Sequence, residues 1–313
     1  MLRVIGHRLL VSIPLLFIVT FAVFGLESLI PGNAAQTILG ENATPAAVAQ
    51  LNTQMGLNDP FFERYAHWVG HAVTGNFGSS VISGAPVWTS VVTRLGVTMS
   101  LLIPSLVLAA VAGVVLGMAS AVRGGWLARL IDVVSLLGFA LPSFWVGLIL
   151  VSIFAVKLGV LPATGYTPLG TSPSEWIASI TLPVVALSLY GITAIAKQTR
   201  DSASEVLDSD YIRFLRANGV PERSVLLKHV LRNSSIPVAT SLGLISIGAL
   251  GGTVFIENVF VLPGLGSLAT QATLDHDIPV ILGVALCFTL AVIAINLVID
   301  LIYGLLNPKV RVS

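Results

Sequence analysis

One strongly charged stretch interrupts an otherwise very apolar chain: residues 208–237, DSDYIRFLRANGVPERSVLLKHVLRNSSIP, which we call the basic segment. Its pattern predicts a helix, a break and a second helix. A side chain among residues 208–210 can accept hydrogen bonds from the free N–H groups of the first helix. Gly219 suits the positive φ that often follows a helix, and Pro221 suits the first turn of the next one.

Each predicted helix of the basic segment has an apolar side and a basic side. The apolar side carries Ile212, Leu215, Val225, Leu226 and Leu231. The basic side carries Arg213, Arg216, Arg223, Lys228 and Arg232. By itself, this pattern also fits an ordinary solvated loop between two membrane spans.

The composition indicates a membrane protein before any motif is considered. Hydrophobic residues make up 55% of the 313 residues and charged residues only 10%, and the mean hydropathy is +0.93. A soluble domain has a far more polar balance. The net charge of +1 gives no indication of nucleic-acid binding, and no nucleic-acid partner is expected. The single cysteine, Cys287, cannot form a disulfide within the chain.

Six apolar runs are long enough to be membrane spans. They cover residues 9–26, 97–122, 133–156, 177–196, 236–260 and 280–301. The first run follows Arg3, His7 and Arg8, so a cleavable signal peptide is the alternative. We interpret it as a retained span, because it is longer than the roughly 7–15 apolar residues of a signal peptide.

Residues 31–96 form a more polar region without a span. Two short helices are predicted within it, over residues 44–55 and 61–72. Glu63, His67 and His71 then fall on one helical face, with the spacing of a possible metal-ligand array. Because such spacings arise easily on an exposed amphipathic helix, we predict a solvated face and no metal site.

Two features of the apolar runs suggest candidate pathway residues. Pro142 interrupts the third run, just before Phe144 and Trp145. A proline inside a span bends the helix, and the bend serves either close packing or a transport pathway. Glu257 lies near the outer end of the fifth run, where an acid is costly unless it reaches water or a partner.

The distribution of basic residues predicts the orientation. Thirteen of the 16 Lys and Arg residues lie at the two termini, in the turn at residues 123–129 or in and next to the basic segment. The other three are Arg64, Arg94 and Lys157. By the positive-inside rule, both termini and the basic segment are cytoplasmic.

The basic segment also carries a specific motif. It reads Asp210-Tyr211-Ile212-Arg213, then Ala217-Asn218-Gly219, then His229-Val230-Leu231-Arg232-Asn233 and Ile236-Pro237. This resembles the coupling loop, or EAA loop, of permease subunits of ATP-binding cassette (ABC) importers, in the form found in the dipeptide and oligopeptide (peptide/nickel) family, B-type permease. The Glu-Ala-Ala of other importers is absent, and Arg213-Phe214-Leu215 occupies those positions. This departure favours the peptide family over sugar or amino-acid importers.

The resemblance extends along the whole chain, including Glu257-Asn258-Val259-Phe260 and the Pro-Gly-Leu-Gly at residues 263–266. It implies an all-α integral membrane protein with six transmembrane helices. Residues 1–30 would hold the N-terminus and first span, residues 31–96 an extracytoplasmic domain, and residues 97–313 the permease core with a coupling loop at 201–235. Such a protein lies in the bacterial inner (plasma) membrane and crosses it several times.

The resemblance also implies partners. These are a second homologous permease, two ATP-binding subunits and an extracytoplasmic substrate-binding protein, with the lipid bilayer around the spans. No cofactor is expected on this chain, and ATP and Mg belong to the partner subunits. The apolar side of the coupling helix would seat in a cleft of the ATPase, while its basic residues meet a polar rim. The implied coupling residues are Asp210, Tyr211, Arg213, Ala217, Gly219, His229, Leu231, Arg232 and Asn233.

The motifs of an enzyme are missing from the sequence. It contains neither the P-loop pattern of ATP-binding subunits nor HExxH, and no predicted span carries a Ser/His or paired-carboxylate set. An intramembrane hydrolase or a membrane scaffold is the alternative from a different class. Within the family, permeases of nickel or glutathione importers are the alternative to a peptide permease.

Overall fold

The computed structural model describes residues 2–29 and 34–306. Across those residues the chain is helical, and the only β-type pairing is an isolated bridge between Ser79 and Pro86. The predicted all-helical fold class is therefore confirmed. The predicted boundary between residues 30 and 31, and the residues from 307 onward, lie outside the described residues.

The helices form two compact units. The core unit comprises Met1–Ile5, Met99–Leu262 and Val292–Ser313, and the N-terminal unit comprises Gly6–Thr98 and Pro263–Ala291. In chain order the helices are α1 (Leu2–Glu27), α2 (Ala34–Leu39), α3 (Pro45–Gln54), α4 (Phe61–Val73), α5 (Val87–Arg123), α6 (Gly125–Ala140), α7 (Ser143–Leu150), α8 (Pro173–Leu207), α9 (Asp210–Ala217), α10 (Glu222–Ser224), α11 (Leu231–Val259), α12 (Leu265–Leu274) and α13 (Ile278–Leu306). A 3-10 turn follows α2, and π-helical turns follow α7 and α10.

Within the described residues, five helical stretches are long and apolar enough to cross a membrane. They are Leu10–Glu27, Val87–Arg123, Pro173–Leu207, Glu222–Val259 and Ile278–Ile299. Five of the six predicted runs coincide with these stretches. The chain is thus a multi-pass helical membrane protein by length and composition.

The third predicted run, residues 133–156, is not a single helix: the predicted bend at Pro142 is a break between two helices. Helix α6 ends at Ala140, and α7 begins at Ser143 after Pro142. Pro142 has extended backbone (φ −61, ψ 140) and brings no N–H, so the helix cannot pass through it. Helix α7 continues through the π-helical turn to Lys157, which makes a shorter apolar helix.

Several helices extend beyond the predicted runs. Helix α5 begins at Val87 rather than at residue 97, and α8 continues past residue 196 to Leu207. The last helix of the basic segment is continuous with the fifth span, in one helical stretch from Glu222 to Val259. The basic segment therefore continues into the fifth span as one helical stretch, and only residues 208 and 209 separate α9 from α8.

Helix α8 is the centre of the core unit, where it contacts α6, α7 and α11. Glycines permit the closest approaches. An added Cβ on Gly117 of α5 would lie 2.5 Å from the Ala196 carbonyl oxygen, and one on Gly191 would lie 2.8 Å from the Ala109 Cβ. Small residues at such crossings let helix backbones pack closely in a membrane, where water does not drive helices together.

An ion-pair cluster joins α6 to α8. Asp132 accepts from the guanidinium of Arg200 at 2.5 Å and lies 3.7 Å from Lys197 Nζ. Arg200 also donates to the carbonyl oxygen of Ala128 at 3.1 Å, and Lys197 pairs with Asp201 at 3.2 Å. The sequence does not predict this cluster, because Asp132 is far along the chain from Lys197 and Arg200.

In the N-terminal unit, α4 packs along α1. The Tyr65 hydroxyl donates to the Phe17 carbonyl oxygen at 3.1 Å and lies 2.9 Å from the Thr20 hydroxyl. The ring of Phe61 lies 5.5 Å from Phe21, edge to face. The two short helices predicted between residues 31 and 96 are confirmed as α3 and α4.

A buried carboxylate secures the loop between α4 and α5. Asp277 is 4% exposed. It accepts from the Ser80 hydroxyl at 2.5 Å and from the Val81 N–H at 3.3 Å. Both bonds lie within the N-terminal unit and join the loop before α5 to the turn between α12 and α13.

We expect Gly117→Ala to destabilise the core unit, because the added methyl group would meet backbone and the Thr199 side chain of α8. Overpacking of this kind costs about 1–3 kcal/mol. The thermal unfolding midpoint of the purified protein in lipid nanodiscs measures it. Gly248→Ala is the matched control, since no atom lies within 4 Å of its added Cβ. Equal midpoints for the two variants would contradict the close α5–α8 packing.

Candidate functional site

The basic segment folds as predicted, into two helices separated by a glycine turn. Helix α9 ends at Ala217, and Gly219 has φ +76, which confirms the predicted positive φ. Pro221 precedes α10 rather than lying inside its first turn. The predicted side-chain cap is wrong: Ser209 is the N-cap residue, but its hydroxyl donates to the Val206 carbonyl oxygen instead.

Part of the apolar side of the basic segment is buried within the chain itself. Ile212, Val225 and Val230 are fully buried, and they pack with Ala203 of α8. Met118 of α5 contacts the same cluster. The expectation that this apolar side seats in a partner protein is therefore wrong for Ile212 and Val225. The other three residues of that side are only half-buried: Leu215, Leu226 and Leu231. The energetic role of the buried part is to attach the basic segment to α5 and α8.

The outward surface of the basic segment has a different apolar group. Tyr211 is 47% exposed, Phe214 67% and Leu227 64%. Phe214 was not among the predicted coupling residues, although its spacing from Tyr211 places both on one face of α9. The five predicted basic positions, Arg213, Arg216, Arg223, Lys228 and Arg232, are all exposed. The outward surface therefore combines aromatic and cationic side chains.

A hydrogen bond joins the two helical parts of the basic segment. The Tyr211 hydroxyl lies 2.5 Å from Nδ1 of His229, and the two rings meet edge to face at 5.6 Å. His229 lies in the π-helical turn that leads into α11. These two predicted coupling residues thus fix the position of α9 against the start of the fifth span.

Ion pairs close the turn on its solvent side. Arg216 donates two hydrogen bonds to Glu222, at 3.1 and 2.6 Å. The hydrogen bond to Glu222 raises the pKa of Arg216. Arg213 pairs with Asp210 at 3.3 Å, an exposed pair that contributes little to stability. Glu222 was not predicted, because helical spacing does not identify a partner across a turn.

The remaining predicted coupling residues surround this turn. Ala217, Gly219, Arg232 and Asn233 are exposed, and Leu231 is half-buried. The structure therefore brings the predicted set to one region of the core unit.

The candidate pathway residues lie where α7 meets α11. The ring of Phe144 is 5.9 Å from that of Phe255, and Glu257 is fully buried. Trp145 is 57% exposed, and Pro142 is also exposed. Glu257 thus lies in the interior of the core unit, Phe144 is half-buried, and Trp145 and Pro142 lie on the surface.

The candidate metal face lies on α4. Glu63, His67 and His71 are all exposed, and Nδ1 of His71 lies 2.9 Å from the His67 carbonyl oxygen. Among residues 2–29 and 34–306, no group of three or more His, Cys, Asp or Glu residues is placed to hold a metal ion.

Two family models match the chain. Residues 113–312 match the binding-protein-dependent transport system inner membrane component, and residues 1–102 match the N-terminal membrane component of such systems. The chain belongs to this family of transport permeases. The family resemblance seen in the basic segment is confirmed, and the chain is a permease subunit of an ABC importer.

Similar permeases cover nearly the whole chain. A putative peptide transport system permease of Brucella abortus (strain 2308) is 36% identical over 312 residues, which are 99% of each chain. A probable peptide ABC transporter permease of Sinorhizobium fredii is 36% identical over 306 residues, 97% of this permease and 98% of the relative. The glutathione transport system permease GsiC of Escherichia coli (strain K12) is 38% identical over 312 residues, 99% of each.

We expect Gly219→Val to open the turn of the permease's basic segment. A left-handed backbone costs an L-residue about 1–2 kcal/mol, so amide exchange should accelerate about tenfold. Hydrogen exchange measured by mass spectrometry over residues 215–225 tests this. Gly219→Asn is the control, because asparagine tolerates this conformation. No atom lies within 4 Å of an added Cβ, so backbone strain alone separates the two variants. Unchanged exchange in Gly219→Val would contradict the expected strain.

Proposed function

We propose that this permease forms half of the membrane pathway for short peptides and couples it to two ATP-binding subunits through the basic segment. The observation that carries the coupling proposal is the outward surface of Tyr211, Phe214 and the basic side chains. Large aromatic and arginine side chains are enriched where protein interfaces gain most of their binding energy. The peptide cargo is supported by the names of the similar Brucella and Sinorhizobium permeases.

The outward surface is connected to the spans in two ways: the chain continues directly into α8 and α11, and buried side chains pack α9 against α8 and the turn before α11. The basic segment follows directly after α8, and the helical stretch Glu222–Val259 carries it into the fifth span. The buried cluster around Ile212 and the Tyr211–His229 bond keep α9 from moving independently. A displacement of α9 by the ATPase would therefore move α8 and α11 as packed bodies, as in domain-scale transitions of other proteins.

The partners follow from this role. A second homologous permease completes the pathway, each permease binds one ATP-binding subunit, and an extracytoplasmic protein delivers the substrate. ATP and Mg are bound by the ATP-binding subunits, where hydrolysis takes place, and this permease is not itself an enzyme. It crosses the inner membrane six times, with the α6–α7 pair as the broken third span and both termini in the cytoplasm.

Glutathione is a second candidate cargo. The observation that favours it is the 38% identity to the glutathione permease GsiC. Glutathione is itself a short peptide with free carboxylates, so the two candidates share the same chemistry.

Phe214→Ala should weaken binding of the ATP-binding subunit to the permease pair. Loss of a large exposed aromatic from the centre of an interface costs about 2 kcal/mol, or roughly 30-fold in affinity. Titration of ATPase subunits onto purified permeases measures this, and uptake of a labelled dipeptide into vesicles should fall in parallel. Leu158→Ala removes an equally exposed apolar side chain outside the basic segment and is the control.

The same vesicles test the cargo. The wild-type complex with its binding protein should accumulate the dipeptide or glutathione, but not a free amino acid. Normal ATPase binding by Phe214→Ala would exclude the proposed contact surface. Uptake of neither peptide by the wild-type complex would exclude the proposed cargo.

A cysteine pair tests the orientation. In a Cys287→Ser background, cysteines at Ser79 and at Asn218, both exposed, should react with an impermeant thiol reagent from opposite sides of the membrane. Labelling of intact spheroplasts should modify only the cysteine at Ser79, and inverted vesicles only the cysteine at Asn218. Reaction of both from the same side would contradict cytoplasmic placement of the basic segment.

A further inference from the structure

The N-terminal unit contains a cavity of about 330 Å³ between α1, the start of α4 and the α12–α13 turn. Most of its wall is apolar, including Leu57, Trp68 and Leu282. Four ionisable side chains also line it: Asp59, Arg64, His67 and His276. Its volume lies at the lower end of the range for small-molecule sites, about 300–1,000 Å³.

Arg64 is the unusual residue of this cavity. Its guanidinium lies 5.3 Å from the centre of the Phe24 ring, in a cation–π contact. Across residues 2–29 and 34–306 it makes no hydrogen bond or ion pair within bonding distance. Burial lowers the pKa of Arg64, and the nearby charge of Asp59 opposes that shift. A guanidinium has five N–H donors in a planar fork, so a partly buried one without acceptors is a prepared anion site.

The surrounding charges limit which anion fits. Asp59 lies near Arg64 on the cavity wall. The carboxylate of Asp59 beside Arg64 would repel the second negative charge of a phosphate or a dicarboxylate. A single carboxylate can still bind the guanidinium fork with two hydrogen bonds. If the ligand also carries an ammonium group, Asp59 can attract it.

We propose that this cavity binds a small solute in which a carboxylate lies beside an apolar side chain, with Arg64 holding the carboxylate. This is the chemistry of a free amino acid and of the C-terminal residue of a short peptide. The proposal deepens the proposed function and rests on it for a peptide as the physiological ligand. The Phe24 ring contacts the guanidinium of Arg64. The apolar wall of the cavity would contact the apolar side chain of the ligand.

The test uses the complete transporter in lipid nanodiscs, without its binding protein, and calorimetric titration. The probes are alanyl-leucine, alanyl-leucinamide and leucine. The dipeptide should bind, and the amide should bind at least about tenfold more weakly, since a hydrogen-bonded charge contributes roughly 1.5–3 kcal/mol. Leucine binding as strongly as the dipeptide would assign the site to free amino acids, whereas binding of the dipeptide alone would assign it to peptide ends.

Three variants complete the test. Arg64→Gln should weaken dipeptide binding by at least about tenfold, the size expected for one lost charged hydrogen bond. Leu57→Trp should abolish binding by filling the cavity while leaving Arg64 in place, which guards against a folding defect in Arg64→Gln. Lys157→Gln removes an exposed cation outside the cavity and should bind as the wild type does. Unfolding midpoints of all variants are measured beside the titrations.

The outcomes separate this proposal from the proposed function. Normal peptide uptake by the wild type, with dipeptide binding unchanged in Arg64→Gln and Leu57→Trp, would overturn the cavity proposal alone. Absence of binding by all three probes would overturn it too. If the wild type takes up no peptide but binds leucine in an Arg64-dependent way, the cavity proposal stands and the peptide cargo does not.

Discussion

The fold of the core unit depends on the close packing of α8 against its neighbours. The hydrophobic effect does not hold helices together inside a membrane, so their association depends on van der Waals contact. That contact is greatest where the helix backbones approach each other closely. Gly117 and Gly191 allow α5 to approach α8 to the limit of van der Waals contact, and Gly138 does the same for α6 against Thr193. A side chain at any of these glycines would push the helices apart.

The packing of α8 explains how a displacement of the short helix α9 can reach the spans. The buried group of Ile212, Val225 and Val230 continues the packing of α8 beyond the apolar run. The basic segment is therefore an extension of the span bundle, attached by its own apolar side. A partner that holds the outward surface acts on a rigid body, and interfaces of packed helices move as discrete bodies.

The sequence predicted the helical class, most spans and the glycine turn, because each depends on local composition or backbone conformation. It did not predict what depends on contacts between distant residues. The burial of Ile212 could not be predicted, because it depends on contacts with Ala203 and Met118 that only the structure shows. The break at Pro142 was recognised as a bend but not as an end of α6, since proline tolerance in a span depends on neighbouring helices.

An exposed apolar side chain costs free energy in water but not in lipid, and this protein contacts both. Ile103, Val107, Val111 and Val115 recur every four residues along α5, and each is more than half exposed. In a bilayer such a stripe costs nothing, because lipid chains are as apolar as the side chains. Phe214 is equally exposed, but α9 is too short and too charged to lie in a membrane. Its exposure in water carries a hydrophobic cost that a protein partner would remove, which is why we propose Phe214, and not the larger α5 stripe, as part of the contact with the ATPase.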